Sequence, residues 1–274
     1  MAFRIGVCLL AVMLFGFGRV HAQQTCGVTN TAFSTGEELK YKVIYNWGAI
    51  WLESAEGNFV VKKSDLVGRT CYHLQGTGFT YPKYAWFYKV QDVFETYVDS
   101  LTFRPLRFRA DIQEGGKREK HDYFFNNASK KVFTSIQRGK SGVKVDSLKI
   151  GCCTIDVLTA IYYARNIDYS HCKVNDTISV SLLLDNKLYP IYVRYLGKGQ
   201  YTSKELGKFN CIKFSPLLVE GTIFRGGEGM IVWATDDQNK VPLYIETPIV
   251  IGTVKVQLIS CKGLRNPETS KIHY

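Results

Sequence analysis

Apolar and polar residues alternate one for one along most of this chain, and that period restricts it to β structure. In the run 39–47, Leu39, Tyr41, Val43, Tyr45 and Trp47 share one face, while the opposite face is mostly polar. Successive side chains of an extended chain point to opposite sides, so such a run buries one face and wets the other. The same pattern predicts strands over 49–61, 70–80, 90–98, 105–113, 120–125, 131–137, 177–184, 189–196, 209–215, 229–235, 242–247 and 253–261. Gly115-Gly116, Asn126-Asn127, Asp185-Asn186 and the stretch 237–239 supply turn chemistry between them. Seventeen tyrosines and sixteen phenylalanines suit pleated, half-buried surfaces. The fold class is mainly β: a strongly curved antiparallel sheet or an incompletely closed barrel.

One segment breaks the period. From Asp156 to Arg165, residues Val157, Leu158, Ile161, Tyr162 and Arg165 recur at helical spacing. Thr154 is the expected N-cap, with Asp156 and Arg165 favouring the first-turn and last-turn ends of the helix dipole. This central helix is expected to pack on the concave face, because an open β cavity must cover its apolar lining.

The segments on either side of the helix resemble each other. Phe94 to Asp99 followed by Pro105-Leu106 has a counterpart in Ile231 to Asp236 followed by Pro242-Leu243, 137 positions later. The stretches around Cys71 and Cys211 match at nearly the same offset. Two matches in the same order predict an internal duplication, with halves of about 33–145 and 172–262 joined by the helix.

The N-terminus predicts export. Arg4 precedes an apolar stretch from Ile5 to Phe17, and Val20-His21-Ala22 reads as a small-x-small cleavage signal, so 1–22 is expected to be a signal peptide cut after Ala22. The stretch is too short to span a bilayer. Residues 23–274 read as one mature domain of the periplasm. The net charge falls from +11 once Arg4 and Arg19 leave. The basic pairs Lys62-Lys63, Lys117-Arg118, Lys130-Lys131 and Arg138/Lys140 are scattered over expected turns, which suits solvated turn residues rather than a nucleic-acid surface. Seven cysteines remain (26, 71, 152, 153, 172, 211 and 261), an odd number to settle in an oxidising space.

Several stretches resemble a known family. Gly36 through Gly48, the helix Asp156–Arg165, and Trp233–Asp237 running into Val241–Val256 are similar in order and character to the DUF3108 family. The resemblance implies a β-rich exported protein of a Gram-negative envelope, in the style of the Bacteroidota, and no catalytic residues. The closing meander also resembles the sheet of LolA-type lipoprotein carriers.

Candidates for chemistry are few. Cys152-Cys153 lies at the expected helix N-terminus, with His171-Cys172 further on; a thiol there gains acidity, and vicinal cysteines can cycle. Their spacing matches no standard metal site, so no metal and no cofactor is expected. Hydrolase motifs are absent, and Gly226–Gly229 reads as a turn or bulge beside an open edge. Glu53, Glu56, Asp92 and Glu95 are paired carboxylates in aromatic strands, explained most simply by an exposed sheet face.

The aromatic cluster from Tyr81 to Tyr88 sits between two strands. Tyr84, Trp86 and Phe87, with Trp51 beside the Gly48 turn, are the expected ligand-binding residues at the mouth of the sheet. Ser100, Ser147 and Thr177 follow aspartate and precede an apolar residue, which resembles the O-glycosylation acceptor pattern of Bacteroidota envelopes. The expected function is non-catalytic binding of an apolar or lipid-like ligand, or an envelope polymer, in the periplasm. The alternatives are an envelope-assembly scaffold that recognises a protein through a sheet edge, or a thiol-dependent enzyme.

Overall fold

The computed structural model describes residues 28–86, 88–220 and 226–273. The segment 1–22, Cys26 and Phe87 therefore lie outside the described residues. Before the helix run β1 (Glu38–Trp47), β2 (Ile50–Leu66), β3 (Arg69–Thr80), β4 (Gln91–Asp99), β5 (Pro105–Glu114), β6 (Lys117–Asn126), β7 (Lys131–Arg138), β8 (Lys144–Lys149) and β9 (Thr154–Ile155). After helix α1 (Val157–Asn166) come β10 (Thr177–Leu184), β11 (Lys187–Ser203), β12 (Gly207–Pro216), β13 (Ile231–Thr235), β14 (Pro242–Pro248), β15 (Thr253–Lys262) and β16 (Lys271–Ile272).

These strands form one sheet in the order β8-β7-β6-β5-β4-β3-β2-β1-β15-β14-β13-β12-β11-β10-β9, with β16 added to β12. Every pairing is antiparallel except β9 with β10. Flat, fifteen strands in a row would span about 70 Å at a spacing of about 4.8 Å. Yet the chain passes from one edge, at Lys149, to the other, at Thr154, through four residues. Such a connection reaches about 18 Å at most, so the sheet has to curl until its edges face each other. No ladder joins them among the described residues. Side chains bridge the gap instead: Arg138 at the end of β7 donates to Asp185 in the β10–β11 turn at 2.7 Å. Leu183 packs in the same core cluster as Val132, Ile136 and Ile150. The fold is the expected incompletely closed barrel.

Helix α1 lies on the concave face, with Leu158 and Tyr162 buried among Phe33, Val61, Leu74, Val98, Phe108 and Tyr123. Its N-cap is Asp156 rather than Thr154, which lies in β9. The shift has a reason: the Asp156 carboxylate accepts from the Leu158 and Thr159 amides at 3.0 and 2.8 Å, and also from the hydroxyls of Thr159 and Thr96. Burial pushes this carboxyl up, against the pull of those four donors.

The alternation extends further than the sequence suggested. β2 and β11 each run 17 residues, and Lys62-Lys63 stand inside β2 rather than at a turn. The polar edge strand β8 and the short β9 and β16 carry too little apolar periodicity to be recognised.

Hairpin details recur at a fixed interval. β2 and β11 open at Ile50 and Lys187, and β5 and β14 open at Pro105 and Pro242, each pair 137 positions apart. The β4–β5 ladder skips Leu106, and the β13–β14 ladder skips Leu243. Phe103 and Lys240, just ahead of these bulges, both take positive φ, at 55° and 43°. A residue with a side chain adopts this left-handed conformation only where the surroundings impose it.

Candidate ligand-binding rim

Antiparallel order sorts the connections between two ends. One end is closed. Segment 28–37 crosses it with Ala32 and Phe33 fully buried, and Phe33 meets Tyr72, Phe103 and Tyr162 edge-on at 5.3, 5.8 and 4.8 Å. The buried Glu37 carboxylate receives both Arg165 nitrogens there, and Arg165 Nε donates to the Asn239 carbonyl at 3.0 Å. The segment around 264–270 completes the closure: Arg265 donates to the Asn30 carbonyl, and Ser270 to Asp237.

The other end is a rim of apolar tips. The β1–β2 hairpin carries exposed Ile50 and Trp51, and the β14–β15 hairpin carries exposed Val250 and Ile251. These hairpins are neighbours, because β1 pairs with β15 up to Asn46 and Thr253. Lys255 Nζ lies 4.1 Å from the centre of the Trp51 ring, and the Tyr45 hydroxyl donates to the Ile251 carbonyl at 3.0 Å. Gly252 permits the close fit: its φ is +88°, and a Cβ there would stand 2.0 Å from the Asn46 carbonyl oxygen.

The loop 81–90 forms the third part of the rim. A short 3-10 turn, Pro82–Tyr84, opens it. The Tyr81 amide donates to Ser54 O at 2.9 Å and its hydroxyl to Glu53 at 3.4 Å, tying the loop to β2. Tyr84 is half-buried beneath Lys83, whose Nζ lies 4.8 Å from the ring centre. Trp86 is 83% exposed. The Tyr88 ring lies against Gly115, where a Cβ would come within 2.6 Å of it. Thus Trp51 stands on the β1–β2 hairpin, and Tyr84 and Trp86 on the loop bonded to that hairpin's second strand. Ile50, Val250, Ile251 and Lys255 were missed from the sequence. The signal was available, since three apolar residues in a row at 249–251 break the alternation next to a turn.

Beside this loop Asp92 is buried, accepts from the Gln113 amide at 2.9 Å, and lies next to Glu114. Burial first, and then that neighbouring carboxylate, push its pKa up to about 6. The other three carboxylates weighed for acid/base work each have a partner of their own. Glu56 bonds Lys40 at 2.9 Å, Glu95 bonds His73 at 3.0 Å, and Glu53 takes the Tyr81 hydroxyl.

The candidate thiols stand in two separate places. The Cys152 and Cys153 sulfurs lie 3.8 Å from each other in the turn before β9. Cys172 packs at the far end of α1 with Ala164, Tyr169 and Tyr195. Glu119, His121 and Asp185 bring potential metal-ligand atoms within 4.8 Å. Arg138, however, donates to both carboxylates at 2.9 and 2.7 Å, supplying the positive charge a cation would bring. Gly226–Gly229 lies between β12 and β13, inside the sheet rather than at an edge, where Gly227 bridges to Leu218 and Glu228 receives Arg194. The Ser100 hydroxyl donates to Thr70 O at 2.9 Å, whereas Ser147 is exposed within β8 and Thr177 is exposed at the start of β10.

Two cavities accompany these features. One of about 240 Å³ lies at the closed end between Phe209, Leu243, Leu258 and Cys261. The other, about 470 Å³, is a charged groove on the outer face of β4–β7, lined by Glu95, Arg109, Asp111 and Lys120. No helix among the described residues is long and apolar enough to cross a membrane.

No curated protein matches this chain. Among solved structures it is similar to a beta-barrel-like protein of the domain of unknown function DUF1849 from Brucella abortus. The TM-score is 0.50 at 8% identity, covering 84% of this chain and 98% of that one, so the likeness concerns the fold alone. Residues 40–259 match the family model described as "Protein of unknown function (DUF3108)", and the chain belongs to that family.

Proposed function

We propose that this protein is a non-catalytic binding protein of the Gram-negative periplasm, and that its rim receives an apolar or lipid-like ligand. The observation that carries the reading is the asymmetry of the two ends. One is sealed by the Glu37–Arg165 pair and Phe33, while Ile50, Trp51, Tyr84 and Trp86 gather at the other. Because α1 occupies the concave face, the ligand's place is the rim rather than the barrel interior. Export rests on the Arg4–Ala22 segment and its cleavage signal.

Native mass spectrometry of protein purified from its own periplasm tests this reading. The expected result is a co-purifying apolar molecule whose occupancy falls severalfold in Trp51→Ser and Tyr84→Ser. A clean apo mass overturns it.

The edge strand β8 favours a second reading, recognition of an envelope protein by strand addition. β8 hydrogen-bonds only β7 among the described residues, leaving one side of Lys144–Lys149 open. Its lysines also guard that edge against self-association.

A further inference from the structure

We infer that the paired tips of the β1–β2 and β14–β15 hairpins dock this protein on an anionic bilayer surface, with Ile50, Val250 and Ile251 entering the interfacial layer and Trp51 at headgroup level. This inference shares Ile50 and Trp51 with the proposed ligand rim and goes beyond it in assigning the hairpin tips a membrane surface.

The tips form a projecting arm. β3 ends at Thr80, opposite Ala55, and Tyr81 after it still bonds Ser54 and Glu53, so residues 50–52 of β2 run on beyond both. Three residues of strand amount to about 10 Å. The arm is four strands wide, because β2, β1, β15 and β14 are consecutive in the sheet. Ile50, Trp51, Val250 and Ile251 crown it, each about half exposed or more. The apolar side chains stand on hairpin turns, which present tips rather than a groove. A fluid lipid surface accepts such a shape.

The backbone at the tips is also prepared to leave water. Turn carbonyls ordinarily bond to solvent, and burying them without partners is costly. Here Asn46 Nδ2 donates to both Gly48 O and Ile50 O, at 3.0 and 3.1 Å. The Tyr45 hydroxyl donates to Ile251 O, and the Ile249 amide donates to Gly252 O at 3.1 Å. Side chains that satisfy turn carbonyls beneath exposed aliphatic tips are what a low-dielectric environment requires. Lys255 beneath Trp51 supplies the ammonium–aromatic pairing suited to the headgroup layer. The formal charge of +9 that remains once Arg4 and Arg19 leave draws the protein towards anionic lipid.

The test is co-sedimentation of the purified protein with vesicles of phosphatidylglycerol and phosphatidylethanolamine. The variants are Ile251→Asp and, as a control, Leu101→Asp. Leu101 is equally apolar and still more exposed, but it lies on the β4–β5 turn at the closed end. Both positions are exposed, and matching thermal melts verify that both variants fold. The expected result is binding by the parent and by Leu101→Asp, with about a tenfold or greater loss in Ile251→Asp. A parent that stays in the supernatant overturns the inference, as does equal loss in both variants. A protein that ignores vesicles yet carries an apolar ligand in the mass spectrometer defeats the docking alone.

Discussion

Arg165, at the last turn of the central helix, holds the carboxylate of Glu37 with two nitrogens, at 2.5 and 2.7 Å, and both side chains are withdrawn from solvent. The pair links the helix to the segment that enters β1, 128 positions earlier. The guanidinium also faces the Phe33 and Tyr162 rings at 5.6 and 5.4 Å. Breaking such a pair from one side strands a buried charge. Glu37→Leu is therefore expected to cost about 3–5 kcal/mol, and Glu37→Leu with Arg165→Met to recover most of it. Asp185→Asn, which takes the charge out of the exposed Arg138 contact across the sheet gap and tolerates the left-handed backbone at φ 51°, is expected to cost about 0–1 kcal/mol. Urea titrations compare the three; equal losses at Glu37 and Asp185 would show that the closed end is not anchored by this pair.

Asp92 makes the rim loop sensitive to pH. Its folded pKa of about 6 lies above the ordinary value of 3.8. The stability it contributes is therefore fully present below the unfolded value and is lost as pH rises through about 6. Asp92→Asn keeps an acceptor for the Gln113 amide without the charge. Relative to the parent, this variant is expected to gain stability as pH rises from about 4 to about 6, with the difference constant above that. A parent–variant difference that does not change with pH contradicts the assignment.

Gly252 clamps the two hairpin tips. An alanine methyl there would meet the Asn46 carbonyl at 2.0 Å on a backbone of positive φ. Gly252→Ala is expected to cost about 1–3 kcal/mol. Gly78→Ala, in a strand with open space around the new methyl, should stay within about 0.5 kcal/mol. Thermal denaturation that fails to separate the two would count against the clamp.

Cys211 is fully buried in the core cluster of Leu39, Phe209 and Leu243, and burial pushes its thiol up to about 12. Thiolate is the reactive form, so alkylation at about pH 8 is expected to be about a thousandfold slower in the native protein than in urea. Mass-spectrometric mapping of iodoacetamide adducts reads this directly. Comparable native and denatured rates would mean that β12 opens readily.

The alternation of Leu39, Tyr41, Val43, Tyr45 and Trp47, repeated along the chain, was enough to establish strands, turns and a curved antiparallel sheet. Each strand needs only its own period to decide which face is buried. The helix was equally legible, because Val157, Leu158, Ile161 and Tyr162 follow a local 3.6-residue spacing. The Pro105/Pro242 recurrence needed only comparison of the chain with itself. Tertiary structure alone decided the partners. Asp156 displaced Thr154 as the cap because Thr96, sixty positions away, completes its shell of donors. Glu37 found Arg165 because curling the sheet brought the helix C-terminus to the closed end. The crown of Ile50, Trp51, Val250 and Ile251 came together through the β1–β15 ladder. Periodicity reports which face of a strand avoids water; only closing the sheet determines which distant side chains share that face.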